Sequence, residues 1–507
     1  MSEFYGGGST MKKVSHLLNV ILLVALLLTL VPGAALAQDE VVCESDVVVQ
    51  ADDWLSKIAE KVYGDVLAFQ AIADATNAKA AGDDSYATID NVDIIEPGWK
   101  LCVPSADEAQ AILGEAAAAS AAQLAALGFN TWDEVLAAVD GTTVNWFMWG
   151  GSDQINADVD SDIGAVLKER YNLTVNRVPL ADTADAVNKV LDESAAGVTE
   201  GGSIDMIWLN GENFKTLRSA DLLYGPFAQA LPNSQYVNWS DPALAYDFGY
   251  PVEGYESPWG HAQFVMEYDT AQVGNEPPTS FEALADWVEA NPGKFTYPAI
   301  PDFTGSVFVR HVFYWAAGGP EPFLGEFDQA AFDELAPQVW DYLNSLEPNL
   351  WREGQTYPEA SVMQGLLANQ EIAFNMGYGP ANASNLISQG IYPETVRTFV
   401  FDTGTLANNN FVAIPFNAAN PAGAMVVANY MNSPEFQLIM ADPDQWGWLM
   451  TIDPRRMGAT DQATLAGYEL GPATLSPAEL AANALPEANG DWVTAIEQGW
   501  IENVLEK

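Results

Sequence analysis

The sequence predicts an α/β protein of two lobes joined by crossing strands and preceded by a small βααβ module. Three observations carry this. From Val144 onward strands and helices alternate, the pattern of helices covering a mainly parallel sheet. Phe264 to Tyr268 and Thr398 to Pro415 are strand-like runs placed where one alternating stretch ends and another begins, so each reads as a crossing between lobes. In the stretch 47–104 a strand, two helices and a closing strand follow one another.

The chain has 507 residues, of which 49% are apolar, which excludes general disorder. It carries 69 Asp+Glu against 19 Lys+Arg, a formal net charge of −50 spread along the chain. Such a field repels phosphate backbones and anionic headgroups, so nucleic acid is not an expected partner. Residues 1–37 read as a secretory signal with a preceding extension: Lys12 and Lys13 lead an apolar run from Leu17 to Leu30, and Ala35-Leu36-Ala37 places cleavage before Gln38. The expected product is secreted, extracellular or periplasmic. Cys43 and Cys102 then meet oxidising conditions, and they read as one disulfide closing the first module.

In that module the strand at Val47 leads into a helix with Leu55, Ile58, Ala59 and Val62 on one face. A second helix follows Asp65, and Pro97-Gly98 turns the chain into a strand from Lys100 to Val103. V-Q-A-D-D-W-L-S-K-I-A-E-K-V-Y-G-D and E-P-G-W-K-L-C-V-P resemble the opening and the close of a LysM module, placed at 43–104. That resemblance implies a groove for N-acetylglucosamine glycans such as peptidoglycan. Its walls would be Ala51, Asp52, Asp53 and Trp54 facing Ile94, Ile95, Glu96 and Pro97, and its partner would hold the protein at the cell wall.

Residues 105–142 read as a helical spacer, Ala-rich to Leu127, with a short helix around Trp132. The remainder, 143–507, is expected to be the two-lobed domain. Its first strand, Val144 to Trp149, meets Gly150-Gly151 and a helix capped by Ser152, leaving backbone N–H groups at the carboxyl end of a strand, where open sheets bind ligands. Strands follow at Leu173–Pro179 and Ile204–Leu209, the latter ending in Asn210-Gly211-Glu212-Asn213. Thr279 and Glu282 read as a capping box, Ser306 lies near the start of a further helix, and Glu371 to Met376 is a strand. After the second crossing the chain is expected to return helices to the first lobe and end in a helical cap.

The order of W-F-M-W-G-G-S, I-W-L-N-G-E-N-F-K, P-A-I-P-D-F-T-G-S, G-Y-G-P-A-N-A and N-N-N-F-V-A-I-P resembles the extracellular solute-binding proteins of ABC importers, the periplasmic-binding type II group. The resemblance implies two lobes closing by a hinge over a small solute and docking on the membrane subunits of a permease. Carried onto this sequence, the ligand-contacting positions are Trp149, Gly150, Gly151, Ser152, Asn210, Gly211, Glu212, Asn213, Trp259, Asp302, Phe303, Thr304, Gly305, Gly377, Tyr378, Gly379, Asp402, Thr403 and Asn409. Trp149, Trp259 and Tyr378 can stack on a cation, and Glu212, Asp302 and Asp402 can pair with one, which favours an organic cation such as a polyamine or a thiamine-like compound. The opposing reading uses Ser152 and Ser306 at helix N-termini, with Arg310 a turn further on, to hold an oxyanion.

Enzyme chemistry finds little support. Both cysteines lie in the first module, and beyond the signal only His261 and His311 occur, without metal-ligand spacing. No catalytic residue, metal or cofactor is assigned. A secreted protein that binds or modifies wall glycans through the LysM-like module is the alternative function.

Overall fold

The computed structural model describes residues 42–51, 53–89, 92 and 95–507. The signal segment and two residues of the expected glycan groove, Asp52 and Ile94, lie outside the described residues.

The N-terminal module has the order strand, helix, helix, strand. β1 (Cys43–Val48) pairs antiparallel with β2 (Lys100–Pro104). Between them come helices Leu55–Tyr63 and Phe69–Ala80, packed on β2 through Leu55, Ile58, Phe69, Ile72 and Leu101. Cys43 and Cys102 form a disulfide with Cα atoms 5.2 Å apart. β1 starts before Val47 because Cys43 sits opposite Pro104 in the ladder. Gly64, at φ 72°, ends the first helix in a left-handed conformation that glycine adopts without a Cβ clash. The 21-residue helix Ala106–Ala126 follows, opened by a capping box between Ser105 and Glu108.

The first lobe begins with β3 (Thr143–Trp149), β4 (Thr174–Leu180) and β5 (Met206–Leu209), with β3 parallel to both neighbours. A hairpin of β6 (Tyr246–Asp247) and β7 (Tyr250–Pro251) precedes β8 (Glu256–Gln263). The chain then runs straight into β9 (Val265–Asp269), the centre strand of the second lobe's antiparallel sheet, between β10 (Phe374–Gly377) and β11 (Val396–Phe399). β12 (Thr405–Ala413) returns to the first lobe, antiparallel to β5 and β8, and β13 (Ala484–Leu485) adds to its start.

The expected strand from Gln263 to Tyr268 therefore divides at Phe264, where the chain changes sheets. Phe264 N donates to Leu406 O at 2.9 Å, and Gln263 Nε2 donates to Thr405 Oγ1 at 3.1 Å. These bonds tie the two crossings side by side. His311, buried in the Phe303–Ala317 helix, accepts from Leu406 N at 2.8 Å through Nε2, while its Nδ1 lies 2.8 Å from Val307 O. Burial pushes the imidazole down to about 3, so it is the neutral ring that anchors the second lobe to the crossing.

Each lobe has its own core. Trp146, Met148, Ile163, Trp259, Met425 and Phe436 belong to the first, and Phe281, Phe295, Phe308, Phe313, Trp340 and Trp492 to the second. Trp492 lies in the Gly490–Trp500 helix, so the chain crosses a third time after β13 and its last helix is part of the second lobe. The two-crossing expectation missed this, because the segment that leads into the third crossing is too short to read as a strand: β13 spans only Ala484–Leu485. The cap expected at Thr279 is made by Ser280, whose Oγ accepts from Ala283 N at 3.1 Å, while Glu282 instead accepts from Trp315 Nε1 at 3.0 Å.

Candidate solute-binding crevice

The crevice is built where the loop at the end of β5 and the β6–β7 hairpin meet the Phe303–Ala317 helix, the end of β10 and the segment 487–491. Its two sides touch at the third crossing. Lys215 Nζ pairs with Asp491 Oδ1 at 2.8 Å, and a Cβ added at Gly490 would stand 3.7 Å from the Glu212 Cβ.

Arg310 is the inner landmark. It has no exposed surface and projects between two rings, Phe248 of the first lobe at 5.5 Å and Phe303 of the second at 5.4 Å. Its Nη1 donates to Glu487 Oε2 at 2.6 Å, and Asn408 Nδ2 donates to the other oxygen at 3.0 Å. Burial pushes the Glu487 carboxyl up, opposed by the Arg310 charge. Burial disfavours the Arg310 charge too, but Glu487 and its other neighbours more than offset this and hold the guanidinium protonated. Nε and Nη2 of Arg310, and the hydroxyl of Tyr378, are buried without a hydrogen-bond partner among the described residues.

Acids surround this group. Glu497 accepts from Ser306 Oγ at 2.6 Å, so Ser306 is already engaged. Asp247 is wholly buried, accepts from Gly211 N, and is held well above the usual carboxylate range by burial. Glu212 opens the Glu212–Ser219 helix. It keeps an exposed surface, yet the protein packed around its carboxyl raises its pKa, with Glu497 and Asp182 adding to the effect and Arg310 opposing it. Asn213 Nδ2 donates to it at 3.4 Å, and among the described residues no Lys or Arg forms an ion pair with it.

Apolar surface is also present. Phe303 is 49% exposed and lies 5.4 Å from Tyr378 in a tilted arrangement, whereas Trp149, 39% exposed at the end of β3, packs on Trp208 of its own lobe. Tyr246, 50% exposed, stands next to Asp247.

The expected contact positions divide into two groups. Glu212, Phe303 and Tyr378 lie around Arg310, and Asn213 donates to Glu212. Asp302 caps its helix, with Oδ1 accepting from Thr304 N at 2.9 Å and Gly305 N at 3.4 Å, and Oδ2 accepts from Ala360 N. The helix N-terminus that the anion reading required is thus already satisfied by Asp302. Gly305 lacks a side chain because a Cβ there would meet Pro298 O at 2.2 Å. Gly377 ends β10, and Gly379 O accepts from Asn382 N at the start of the next helix.

At the first-lobe loop, Gly150 N donates to Leu180 O and Ser152 Oγ accepts from Ile155 N, so part of the expected nest is spent on the fold. A Cβ at Gly151 would meet the Trp149 ring at 2.3 Å, so this glycine allows the indole to fold over the turn. Asn210 Nδ2 donates to Asn409 O, and Asn409 Nδ2 donates to Ala243 O, which makes both part of the framework. Asp402 and Thr403 are exposed in the β11–β12 crossing, where Asp402 N donates to Thr279 O. Trp259 has no exposed surface at all. It lies within rings of Trp146, Trp208, Trp446 and Trp448, the nearest centroid 5.0 Å away.

Sequence reasoning passed over Asp247, Phe248, Glu487 and Glu497. The one local signal was Phe248-Gly249, a tight turn with φ of 44° and 76°. The other two acids reach the crevice only through the third crossing.

Two α/β lobes joined by strands, with a partly aromatic and acidic crevice between them, define a solute-binding receptor of the hinge-closing class. The family described as bacterial extracellular solute-binding protein matches residues 163–448, and the chain belongs to it. It is 38% identical over 375 residues to protein YnjB of Escherichia coli strain K12, spanning 73% of this chain and 93% of that protein. Two solved structures share the fold. One is a putative spermidine/putrescine ABC transporter protein from Listeria monocytogenes, with TM-score 0.51, 15% identity, and coverage of 72% of this chain and 99% of that one. The other is the spermidine/putrescine ABC transporter substrate-binding protein PotD from Streptococcus pneumoniae, with TM-score 0.52, 14% identity and the same coverages. The family is one of transport receptors, not of enzymes. Among the described residues no helix is long and apolar enough to cross a membrane.

In the N-terminal module, Ala51, Glu96 and Pro97 are exposed, Ile95 is half-buried, and Asp53 accepts from Gln50 N. Half-buried Trp54 borders a small cavity with Ser56, Phe69, Arg455 and Arg456. Ser56 Oγ donates to Arg455 O, and the Arg456 guanidinium lies 5.0 Å over the Phe69 ring. One wall of the groove implied by the LysM resemblance therefore stands beside the contact between module and first lobe.

Proposed function

We propose that this chain is the receptor of an ABC importer for an organic cation of the polyamine or thiamine-like kind. The observation that carries the choice is Glu212: an acid at the interlobe contact, raised by burial and by neighbouring acids, without an ion-pair partner among the described residues. A bound cation supplies the missing counter-charge, and the exposed Phe303 ring offers a face to it. A ligand that binds the folded state raises the melting temperature. A thermal-shift screen of polyamines, thiamine analogues, amino acids, sugars and oxyanions is expected to give shifts with cations. Shifts confined to sugars or to oxyanions without a cationic group would refute the reading.

Retention at the cell wall by the N-terminal module belongs to the same proposal. It is supported by the resemblance and by the exposed surface of Ala51, Glu96 and Pro97. Co-sedimentation with peptidoglycan by the full chain, and its loss on deleting residues 43–104, is the expected result; equal sedimentation of both would refute it.

A further inference from the structure

We infer that the solute carries an oxyanion group, a carboxylate or a phosphate, received by the side-on edge of Arg310 together with the Tyr378 hydroxyl. This deepens the receptor reading above and rests on it.

A guanidinium offers two forks, and the side-on fork is made by Nε and Nη2. Arg310 spends Nη1 on Glu487 and leaves those other two nitrogens buried without a partner. Leaving such donors unmet costs more than a hydrogen bond returns, so a buried unfilled fork calls for a specific acceptor. The geometry of Nε and Nη2 matches the two oxygens of a carboxylate or phosphate. Tyr378 adds a third unmet donor, its hydroxyl, and its ring and the Arg310 guanidinium both pack on Phe303.

The fork has no exposed surface. Phe248, on the β6–β7 hairpin, lies 5.5 Å from the guanidinium and packs into the second lobe's core. Glu487 fixes the guanidinium from behind, so the fork is oriented before the solute arrives. Glu212 lies on the other side of the contact, within the field of Arg310, which suits a solute that bears both charges.

The test uses matched pairs that differ by one acidic group: putrescine against ornithine for a carboxylate, and choline against phosphocholine and thiamine against thiamine monophosphate for a phosphate. Inorganic phosphate is titrated alone. Affinities are measured by calorimetry with the full chain, Arg310→Lys and Tyr378→Phe, each checked for its circular dichroism spectrum. Arg310→Lys keeps a charge beside Glu487 while removing the fork.

The acid-bearing member of at least one pair is expected to bind about tenfold tighter or better, with the preference lost in both variants. Bare cations that bind as well as their acidic partners overturn the inference and leave the cation reading standing. Binding of phosphate alone, with no cation bound, overturns the cation reading and supports the fork. Folded protein that binds none of the probes overturns both.

Discussion

Replacing Trp259 separates a core role from a ligand-contacting one. The indole has no exposed surface and touches four other tryptophans. A Trp side chain buries up to about 250 Å², which at about 25 cal/mol per Å² comes to roughly 6 kcal/mol. Partial collapse of the surrounding rings recovers some of this, so Trp259→Ala is expected to cost about 4 kcal/mol. Trp259→Phe keeps one ring and removes an indole N–H that is buried without a partner, and its cost is expected near 1–2 kcal/mol. Urea unfolding followed by near-ultraviolet circular dichroism reads both changes. In Trp259→Phe the affinity for the solute should match that of the natural protein. A variant with an unchanged urea midpoint and about tenfold weaker binding would show that Trp259 touches the solute and is no part of the core.

Two further expectations concern stability. The Cys43–Cys102 bond closes a sequence separation of 59, for which loop entropy gives about 4 kcal/mol; changing both to Ser should make the N-terminal module the first region cut in limited proteolysis, and unchanged resistance would contradict this. Glu256 is wholly buried in β8 with both oxygens unpartnered, and burial followed by the nearby Asp247 charge raises its pKa well above 4.5. A carboxyl raised on folding contributes stability below its unfolded pKa and loses it as pH rises above that value. Glu256→Gln should therefore gain on the natural protein in thermal midpoint as pH rises from about 4 to about 8, and a constant difference across that range would be contrary.

Much of the architecture was legible because it rests on local pattern. β3 and β5 appear as largely apolar runs closed by Gly or Asn, and the crossings at Phe264 and β12 stand where alternation restarts. The module's two cysteines and its β-α-α-β order were equally plain. What could not be read was depth. Trp149 and Trp259 look alike on a strand, yet the first ends its strand at a loop and the second lies in a strand buried on both faces between β12 and the Pro421–Met431 helix. Asp302 looked like a ligand acid because its capping bonds are invisible until the following helix is placed. Glu487 and Glu497 belong to the site only because the chain crosses back after β13, an event marked by two residues of strand.

The central claim, that the interlobe crevice holds a cation against Glu212, is tested most directly by calorimetric titration of the tightest-binding cation into the natural protein and Glu212→Gln over a pH series. A bound cation favours the ionised carboxyl, so affinity should be full above the raised pKa of free Glu212 and fall as pH drops through it towards 4.5. Glu212→Gln should bind about tenfold more weakly near neutral pH and lose that component of the pH dependence. Equal affinity and an identical pH profile in the two proteins would contradict the account.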